Sequence, residues 1–178
     1  MSETLLAEGV RRTRTELWCD SSGAADLAEA LAQGATGATS NPPIVLGVVR
    51  GEGETWPRRA RELAAERPGA TETEVAWAIT EEIAVRGAGL LHPVFEASGG
   101  RRGRLSAQVD PRLAGDPAAM LAQAERLASL APNLQVKLPV TAAGLVAIEE
   151  ATARGIEVNA TLNFTVGGAV ASSIATSP

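Results

Sequence analysis

Residues 134–164 read LQVKLPVTAAGLVAIEEATARGIEVNATLNF, and the stretch contains a strand, a helix and a second strand. Leu134–Leu138 and Ile156–Phe164 are short, largely aliphatic runs typical of strands. Between them, Thr141 is placed to cap a helix that ends at Gly155. A strand–helix–strand unit of this length predicts two parallel strands joined by a right-handed crossover.

The same alternation continues on both sides of this stretch. Before it, the sequence predicts a strand at Leu17–Asp20, a helix at Ser22–Gly34 with those two residues as its caps, and a strand at Ala35–Asn41 stopped by Pro42 and Pro43. A largely helical stretch then runs from Trp56 to about Ala97, interrupted at Arg67–Gly69, and is followed by a strand at Leu105–Asp110 and a helix opening at Asp116 and Pro117. After it, a further helix begins at Val170–Ala175. Strands that alternate with helices indicate an α/β fold with a parallel sheet.

Two α/β architectures fit this order, an open doubly wound sheet and a (β/α)8 barrel. No G-x-G-x-x-G follows the first strand and the chain has no P-loop, which weakens the nucleotide-binding alternative. Polar residues instead stand at or near the end of every predicted strand: Asp20, Asn41, Gln108, Asp110, Lys137, Asn159 and Thr161. Active sites of barrels form at that end, so the barrel is favoured.

Composition and charge narrow the class of protein. The 178 residues are 45% hydrophobic and 21% charged, which suits one globular domain over 1–178. A net charge of −5 argues against a nucleic-acid binder. A single cysteine, Cys19, excludes an internal disulfide framework, and no apolar run approaches the ~18 residues of a membrane span. With no signal-peptide pattern at the start, we expect a cytoplasmic protein without membrane attachment.

Lys137 is the first candidate for chemistry, because it is the single lysine beside fifteen arginines. An amine in apolar surroundings, here between Val136 and Leu138, loses its proton more readily and can form a Schiff base with a carbonyl. The alternative is a strand-end lysine whose amine reaches solvent. Asp20 has two readings as well, a carboxylate that moves protons or the N-cap of the next helix.

Amide and hydroxyl side chains supply the remaining candidates. Asn41 is a turn residue before proline or an amide directed to the strand ends. Asn159 and Thr161 alternate on one strand, so both face the same side. His92 has no second histidine or cysteine cluster near it, and we therefore expect no metal site. Asp110 fits a cap that also pairs with Arg112.

The number of strands poses a difficulty for the barrel. Five strands are found, whereas a (β/α)8 barrel has eight and typically takes about 250 residues. We expect the chain to lack the last third of a barrel. A strand-deleted variant and a piece completed by association, including association of like chains, stay open as alternatives.

Five motifs in order resemble the transaldolase family, from about residue 16 to the C terminus. They are Asp20 after an apolar strand, Ala38-Thr-Ser-Asn-Pro42, Leu105-Ser-Ala-Gln-Val-Asp-Pro-Arg112, Val136-Lys-Leu-Pro139 followed by Thr141-Ala-Ala-Gly-Leu145, and Val158-Asn-Ala-Thr-Leu162. The resemblance implies a (β/α)8 barrel that transfers a dihydroxyacetone unit between sugar phosphates, without metal or cofactor. It also implies roles for individual residues. Lys137 would attack the C2 carbonyl of a ketose phosphate, and Asp20 would take and return the proton of the C4 hydroxyl.

Further roles follow from the same resemblance. Asn41 and Asn159, with Thr39, would bind the substrate, and Thr161 would hold a catalytic water together with Gln108. Typical transaldolases carry glutamate where this chain has Gln108, and the related fructose 6-phosphate aldolases carry glutamine. Aldol cleavage is therefore the competing activity. The family's phosphate-binding serine and arginine lie on later strands, so an inactive barrel piece that serves as a binding or scaffold module is a third alternative.

Overall fold

The computed structural model describes residues 5–176 and confirms the predicted α/β class. Within that range five strands alternate with eight α-helices, and the strands whose register is defined pair in parallel. The chain forms two compact units, one up to Leu105 and the other from Ser106 onward. The single-domain assignment for 1–178 stays a prediction.

The first unit contains two paired strands and five helices. Its elements are α1 (Leu5–Arg12), β1 (Trp18–Cys19), α2 (Ala24–Ala32), β2 (Gly37–Thr39), α3 (Pro42–Gly51), α4 (Thr55–Glu66) and α5 (Glu72–Ala97). Strands β1 and β2 are parallel, with Trp18 opposite Gly37 and Cys19 opposite Ala38. A Cβ atom at position 37 would lie 2.6 Å from the Trp18 ring, so glycine allows the two strands to pair beside that ring.

Helices α3, α4 and α5 enclose the apolar core of the first unit. Its buried members are Val45, Val48, Trp56, Leu63, Ala78, Ile79 and Ile83. Helix α5 begins with a capping box, in which Thr71 and Glu74 satisfy each other's backbone N–H groups. Ile79 and Ile83 stand four residues apart on one face of α5, and both are buried in this core.

The second unit contains two complete strands and three helices. Strand β3 (Arg104–Gln108) crosses the boundary between the units. It is followed by a 3₁₀ turn (Pro111–Leu113), α6 (Pro117–Leu130), β4 (Leu134–Pro139), α7 (Ala142–Ala153), β5 (Val158–Thr161) and α8 (Val166–Ala175). The strand order is β3-β4-β5, and β4 and β5 are parallel. Helices α6 and α7 pack against β4, where Val136 and Leu138 are fully buried.

Two predicted helix starts are confirmed in the second unit. Asp116 caps α6 by accepting a hydrogen bond from Ala119 N, and Thr141 caps α7 by accepting one from Gly144 N at 2.9 Å. Gly155, with φ of +75°, ends the α7 segment as predicted. Capping residues followed by an apolar helical pattern therefore located both helices correctly.

Other boundaries differ from the sequence expectation. Four of the five strands are shorter than or shifted from their predicted limits, and β4 extends one residue further, to Pro139. Strand β5 shrinks most, from Ile156–Phe164 to Val158–Thr161. Pro42 and Pro43 do end β2, but they also open α3, which was not predicted. Proline is well suited to the first helical turn because it has no N–H to leave unsatisfied there.

Ser22 and Asp20 are not the caps that the sequence suggested for α2. The N-cap is Gly23, and no side chain makes a capping hydrogen bond there. The Ser22 hydroxyl is instead buried and bonded to the hydroxyl of Ser40, 3.2 Å away. At the other end Gln33 is the C-cap, and Gly34 follows it with φ of +90°. The hydroxyl of Ser22 therefore makes a buried hydrogen bond to Ser40 and does not cap α2.

Within residues 5–176, no helix is both long and apolar enough to cross a membrane.

Candidate active site

Lys137 lies on β4 directly opposite Asn159 on β5. The two residues are register partners in the parallel pair, so their side chains project from the same face of the sheet. Neighbouring strands are about 4.8 Å apart, so the Cα atoms of Lys137 and Asn159 are close together. Both residues are half-buried. An amine and an amide are therefore paired across two neighbouring strands of the second unit.

Ser106 on β3 belongs to the same polar face. Asn159 Nδ2 donates a hydrogen bond to Ser106 Oγ at 2.9 Å, and Ser106 is fully buried. Strand alternation then places Gln108, two residues on, on the face of Ser106. Ser106 was not predicted from the sequence, although its two-residue spacing from Gln108 would have indicated it. The contact fixes the Asn159 amide in one orientation.

The surroundings of Lys137 follow from the alternation of side chains along β4. Its sequence neighbours Val136 and Leu138 are buried on the opposite face, which packs on helices α6 and α7. The face of Lys137 carries Asn159 instead, and the serine that binds it. Val136 and Leu138 therefore do not surround the amine, because successive side chains of a strand point to opposite sides.

Thr161 extends this polar face by one step toward the end of β5. It stands opposite Pro139, and its carbonyl oxygen accepts a hydrogen bond from Val140 N at 2.8 Å. Since Thr161 is two residues from Asn159, the two side chains face the same way, as their spacing predicts. Gln108, Lys137, Asn159 and Thr161 are thus brought onto one face of the second unit.

Asp20 and Thr39 occupy the strand ends of the first unit. The last register pair of β1 and β2 is Cys19 with Ala38, and Asp20 and Thr39 come next on their strands. The Asp20 side chain is exposed and Thr39 is half-buried. Burial raises the pKa of the neighbouring Cys19 thiol, and the nearby carboxylates of Asp26 and Asp20 add to the shift.

A hydrogen-bonded loop follows Asp20. Ser21 Oγ donates to Asp26 Oδ2 at 2.6 Å and accepts from Gly23 N at 3.1 Å. The buried contact between the Ser22 and Ser40 hydroxyls joins the same loop to the end of β2. These bonds define the path of the chain immediately after Asp20.

Asn41 is the N-cap of α3. Its Oδ1 accepts a hydrogen bond from Ile44 N at 2.9 Å. The sequence predicted a turn residue before proline, and in the structure that turn is the start of a helix. The cap uses only the oxygen of the side-chain amide. The nitrogen is available for a separate role.

The other polar residues singled out from the sequence have structural partners. His92 lies 3.6 Å from Glu96 and stacks on Phe95. Asp110 caps the 3₁₀ turn and pairs with Arg112, as predicted. In the described part of the chain, no group of three or more His, Cys, Asp or Glu side chains is placed to hold a metal ion.

Comparison with known proteins finds relatives along most of this chain. Residues 17–176 match the model of the family "Transaldolase/Fructose-6-phosphate aldolase". Transaldolase 1 of Streptomyces avermitilis is 40% identical over 167 residues, which cover 92% of this chain and 43% of the relative. Transaldolase 1 of Streptomyces coelicolor is 42% identical, covering 73% and 34%, and transaldolase of Thermobifida fusca is 42% identical, covering 79% and 38%.

The chain therefore spans less than half the length of these curated relatives. The matched region nevertheless contains every strand described above and the polar face around Lys137. A family match over this much of the chain establishes ancestry and fold class. The protein belongs to the transaldolase/fructose-6-phosphate aldolase family.

Proposed function

We propose that this chain carries the Schiff-base lysine of a transaldolase-type transferase, which moves a dihydroxyacetone unit from a ketose phosphate to an aldose phosphate. The observation that supports the proposal most directly is the pairing of the single lysine, Lys137, with Asn159 on neighbouring strands. Membership in the family and the transaldolase names of the relatives support the same reaction.

In the proposed reaction Lys137 Nζ attacks the C2 carbonyl of the donor, and loss of water gives an imine. A base removes the C4 hydroxyl proton and the C3–C4 bond breaks, with the electron pair moving into the protonated imine to give an enamine. The released aldehyde leaves. The enamine carbon then adds to the acceptor aldehyde, and water hydrolyses the new imine and frees the lysine.

The other candidates take roles that rest on the family resemblance. Asp20 is the proposed carrier of the C4 hydroxyl proton, and its carboxylate is exposed. Gln108 and Thr161 would orient the hydrolytic water by hydrogen bonding, since glutamine cannot act as a base. Asn41, Asn159 and Thr39 would hydrogen-bond the donor. Fructose 6-phosphate and sedoheptulose 7-phosphate are the proposed donors, in the pentose phosphate pathway of the cytoplasm.

Borohydride trapping tests the central step. The chain is incubated with fructose 6-phosphate, reduced with borohydride and digested for peptide mass spectrometry. Reduction converts an imine to a stable secondary amine, so we expect a sugar-derived adduct on the peptide that contains Lys137. Since the chain has one lysine, the α-amino group is the only other primary amine that could react, and the two positions fall on different peptides.

The variant Lys137→Arg is the matched control for this experiment. Arginine keeps the positive charge on β4, but its guanidinium does not lose its proton and cannot form the imine. We expect no adduct from this variant, and none from the wild-type chain unfolded in urea. Equal labelling of the folded and unfolded chains would contradict a built site around Lys137.

Fructose 6-phosphate aldolase activity is the second candidate, and Gln108 favours it. An aldolase releases dihydroxyacetone to solvent, whereas a transaldolase retains it until an acceptor aldehyde arrives. Adding erythrose 4-phosphate separates the two: formation of sedoheptulose 7-phosphate supports transfer, and free dihydroxyacetone without acceptor supports cleavage. Absence of both products and of the adduct would favour an inactive binding or scaffold module.

A further inference from the structure

An ion pair in the first unit joins the end of α3 to the middle of α5. Glu52, the C-cap of α3, accepts hydrogen bonds from Arg86 Nη1 at 2.7 Å and Nη2 at 2.6 Å. It also accepts one from Trp56 Nε1 at 2.8 Å, and the Arg86 guanidinium lies 4.9 Å from the centre of the Trp56 ring. The Glu52 and Arg86 side chains are only 24% and 32% exposed. A forked and partly buried pair of this kind holds its partners in one geometry.

This ion pair lies beside the loop that follows Asp20. Val48, one helical turn before Glu52, is close enough to Gly23 that a Cβ atom there would sit 3.5 Å from Val48 Cγ2. Gly87, the residue after Arg86, is equally close to Ser22, since a Cβ at position 87 would lie 3.6 Å from Ser22 O. Both helices that carry the ion pair therefore touch the Ser21–Gly23 loop within one residue or one turn of the charges.

Helix α2, which the loop leads into, has no side-chain cap of its own. Its N-cap is Gly23, which offers no side-chain acceptor to the N–H groups of the first turn. Glu52 lies one helical turn after Val48, which approaches that N-cap. Arg86 lowers the pKa of Glu52 most strongly, Trp56 contributes, and the backbone N–H of Ala24, the first residue of α2, adds to the shift. A carboxylate near a helix N terminus stabilises the helix through its dipole.

We propose that Glu52, held by Arg86 and Trp56, is a positioning residue that anchors the start of α2 and so fixes the loop that carries Asp20. The role of Asp20 in this statement rests on the proposed function, whereas the anchoring of the loop does not. Loss of the charge on Glu52 would free the loop while the apolar core of α3, α4 and α5 stays in place.

Cys19 is a built-in reporter for this loop. It is the single cysteine of the chain, it precedes Asp20, and its Sγ lies 3.8 Å from the backbone oxygen of Asp26 in α2. The thiol is half-buried, so iodoacetamide reaches it more readily when the start of α2 opens. The measurement is the alkylation rate of Cys19 at fixed pH, followed by mass spectrometry, and it requires no enzyme activity.

In the variant Glu52→Gln the side chain keeps its shape but loses its charge, and we expect alkylation to be about fivefold faster than in the wild type. Glu82→Gln is the matched control, because Glu82 lies on α5, the helix that carries Arg86, and accepts a forked pair of hydrogen bonds from Arg59 of α4. We expect the control to react at the wild-type rate. Arg86→Lys, which keeps a cation but loses the fork, should fall between the two.

Equal alkylation rates for Glu52→Gln and Glu82→Gln would overturn the proposal. So would a uniform acceleration in both variants, since that would reflect general loss of stability. The second readout is the kinetics of dihydroxyacetone transfer. Misplacement of Asp20 should lower kcat by roughly tenfold while KM for the donor stays unchanged.

The two readouts separate this inference from the proposed function. If the wild-type chain shows no transfer and no lysine adduct, the proposed function fails, and the Cys19 rates still decide whether Glu52 anchors the loop. If alkylation accelerates in Glu52→Gln while kcat stays at the wild-type value, the loop is anchored by Glu52 but Asp20 is not positioned by it, and the proposal is overturned.

Discussion

Asn41 shows how one side chain can serve the fold and the chemistry at once. Its oxygen caps α3 by accepting from Ile44 N, so a structural duty alone would explain an asparagine here. The proposed role in donor binding needs the other half of the amide, the Nδ2 group. Because the two functions use different atoms, they can be separated by substitution.

We expect Asn41→Ala to lower the free energy of unfolding by about 1 kcal/mol, the usual contribution of such a cap. Asn41→Asp keeps an acceptor for Ile44 N and should unfold in urea close to the wild type. It lacks the amide N–H, however, and should give less borohydride-trapped adduct at Lys137. If a group other than the Asn41 side chain capped α3, Asn41→Ala and Asn41→Asp would have the same free energy of unfolding. Full adduct yield from Asn41→Asp would contradict the proposal that Asn41 Nδ2 binds the donor.

At the scale of single residues, several members of the candidate site were identified from the sequence. The scarcity of lysine singled out Lys137, and two-residue spacing predicted that Asn159 and Thr161 share a side. The contact between Asn159 and Ser106 could not be predicted, because it joins strands 53 residues apart in the chain. The capping of α2 was mispredicted for a related reason: the hydroxyl of Ser22 finds a distant partner in Ser40.

At the scale of elements, the turn from β4 into α7 depends on Gly144. A Cβ atom at this position would overlap the carbonyl oxygen of Pro139, the last residue of β4. The helix can therefore start this close to the strand end only with glycine there. The turn also brings α7 down onto the buried side of β4, opposite the face that carries Lys137.

We expect Gly144→Ala to lower the free energy of unfolding by about 1–3 kcal/mol, as overpacking of a close contact does. Gly167→Ala is the matched control in the same unit, since a Cβ there meets nothing within 4 Å and alanine favours α8. The control should be unchanged or more stable by up to about 1 kcal/mol. Urea unfolding followed by circular dichroism measures both. Equal stability of the two variants would contradict the close approach at Pro139.

Element boundaries were predicted best where capping chemistry is local. Asp116 and Thr141 were correctly identified as helix starts because each cap bonds to a backbone N–H three residues on. Strand limits were poorer, since a parallel strand extends only as far as its neighbour provides hydrogen bonds. Strand β5 ends at Thr161 although the apolar residues Leu162 and Phe164 follow it. Helix α3 was missed because the Pro42–Pro43 pair was interpreted only as a strand terminator.

At the scale of the whole molecule, family membership supports the predicted barrel class. The transaldolase/fructose-6-phosphate aldolase family has the (β/α)8 barrel fold, and the order of strands and helices in residues 5–176 follows the alternation of that fold. Alternation is a property of the entire chain and survives errors in individual boundaries. This explains why the fold class was predicted more securely than any one element.

The surface of the second unit should govern how the chain behaves in concentrated solution. Phe164 and Val166 are 85% and 83% exposed, and three further large apolar side chains near them are also exposed: Leu162, Val170 and Ile174. Exposed apolar side chains in such number favour association. The net charge of −5 opposes it near neutral pH, and this repulsion vanishes near the isoelectric point of about 5.0.

We therefore expect solubility to pass through a minimum near pH 5, and the double variant Phe164→Ser/Val166→Ser to raise that minimum by roughly twofold or more. Fluorescence of an apolar dye should fall in parallel. Leu46→Ser/Leu90→Ser is the control, because these side chains of the first unit are 47% and 38% exposed. Its effect should be smaller, since the area removed from water contact is smaller. If the two double variants raised solubility equally, added polarity rather than the exposed surface around Phe164 would account for the change.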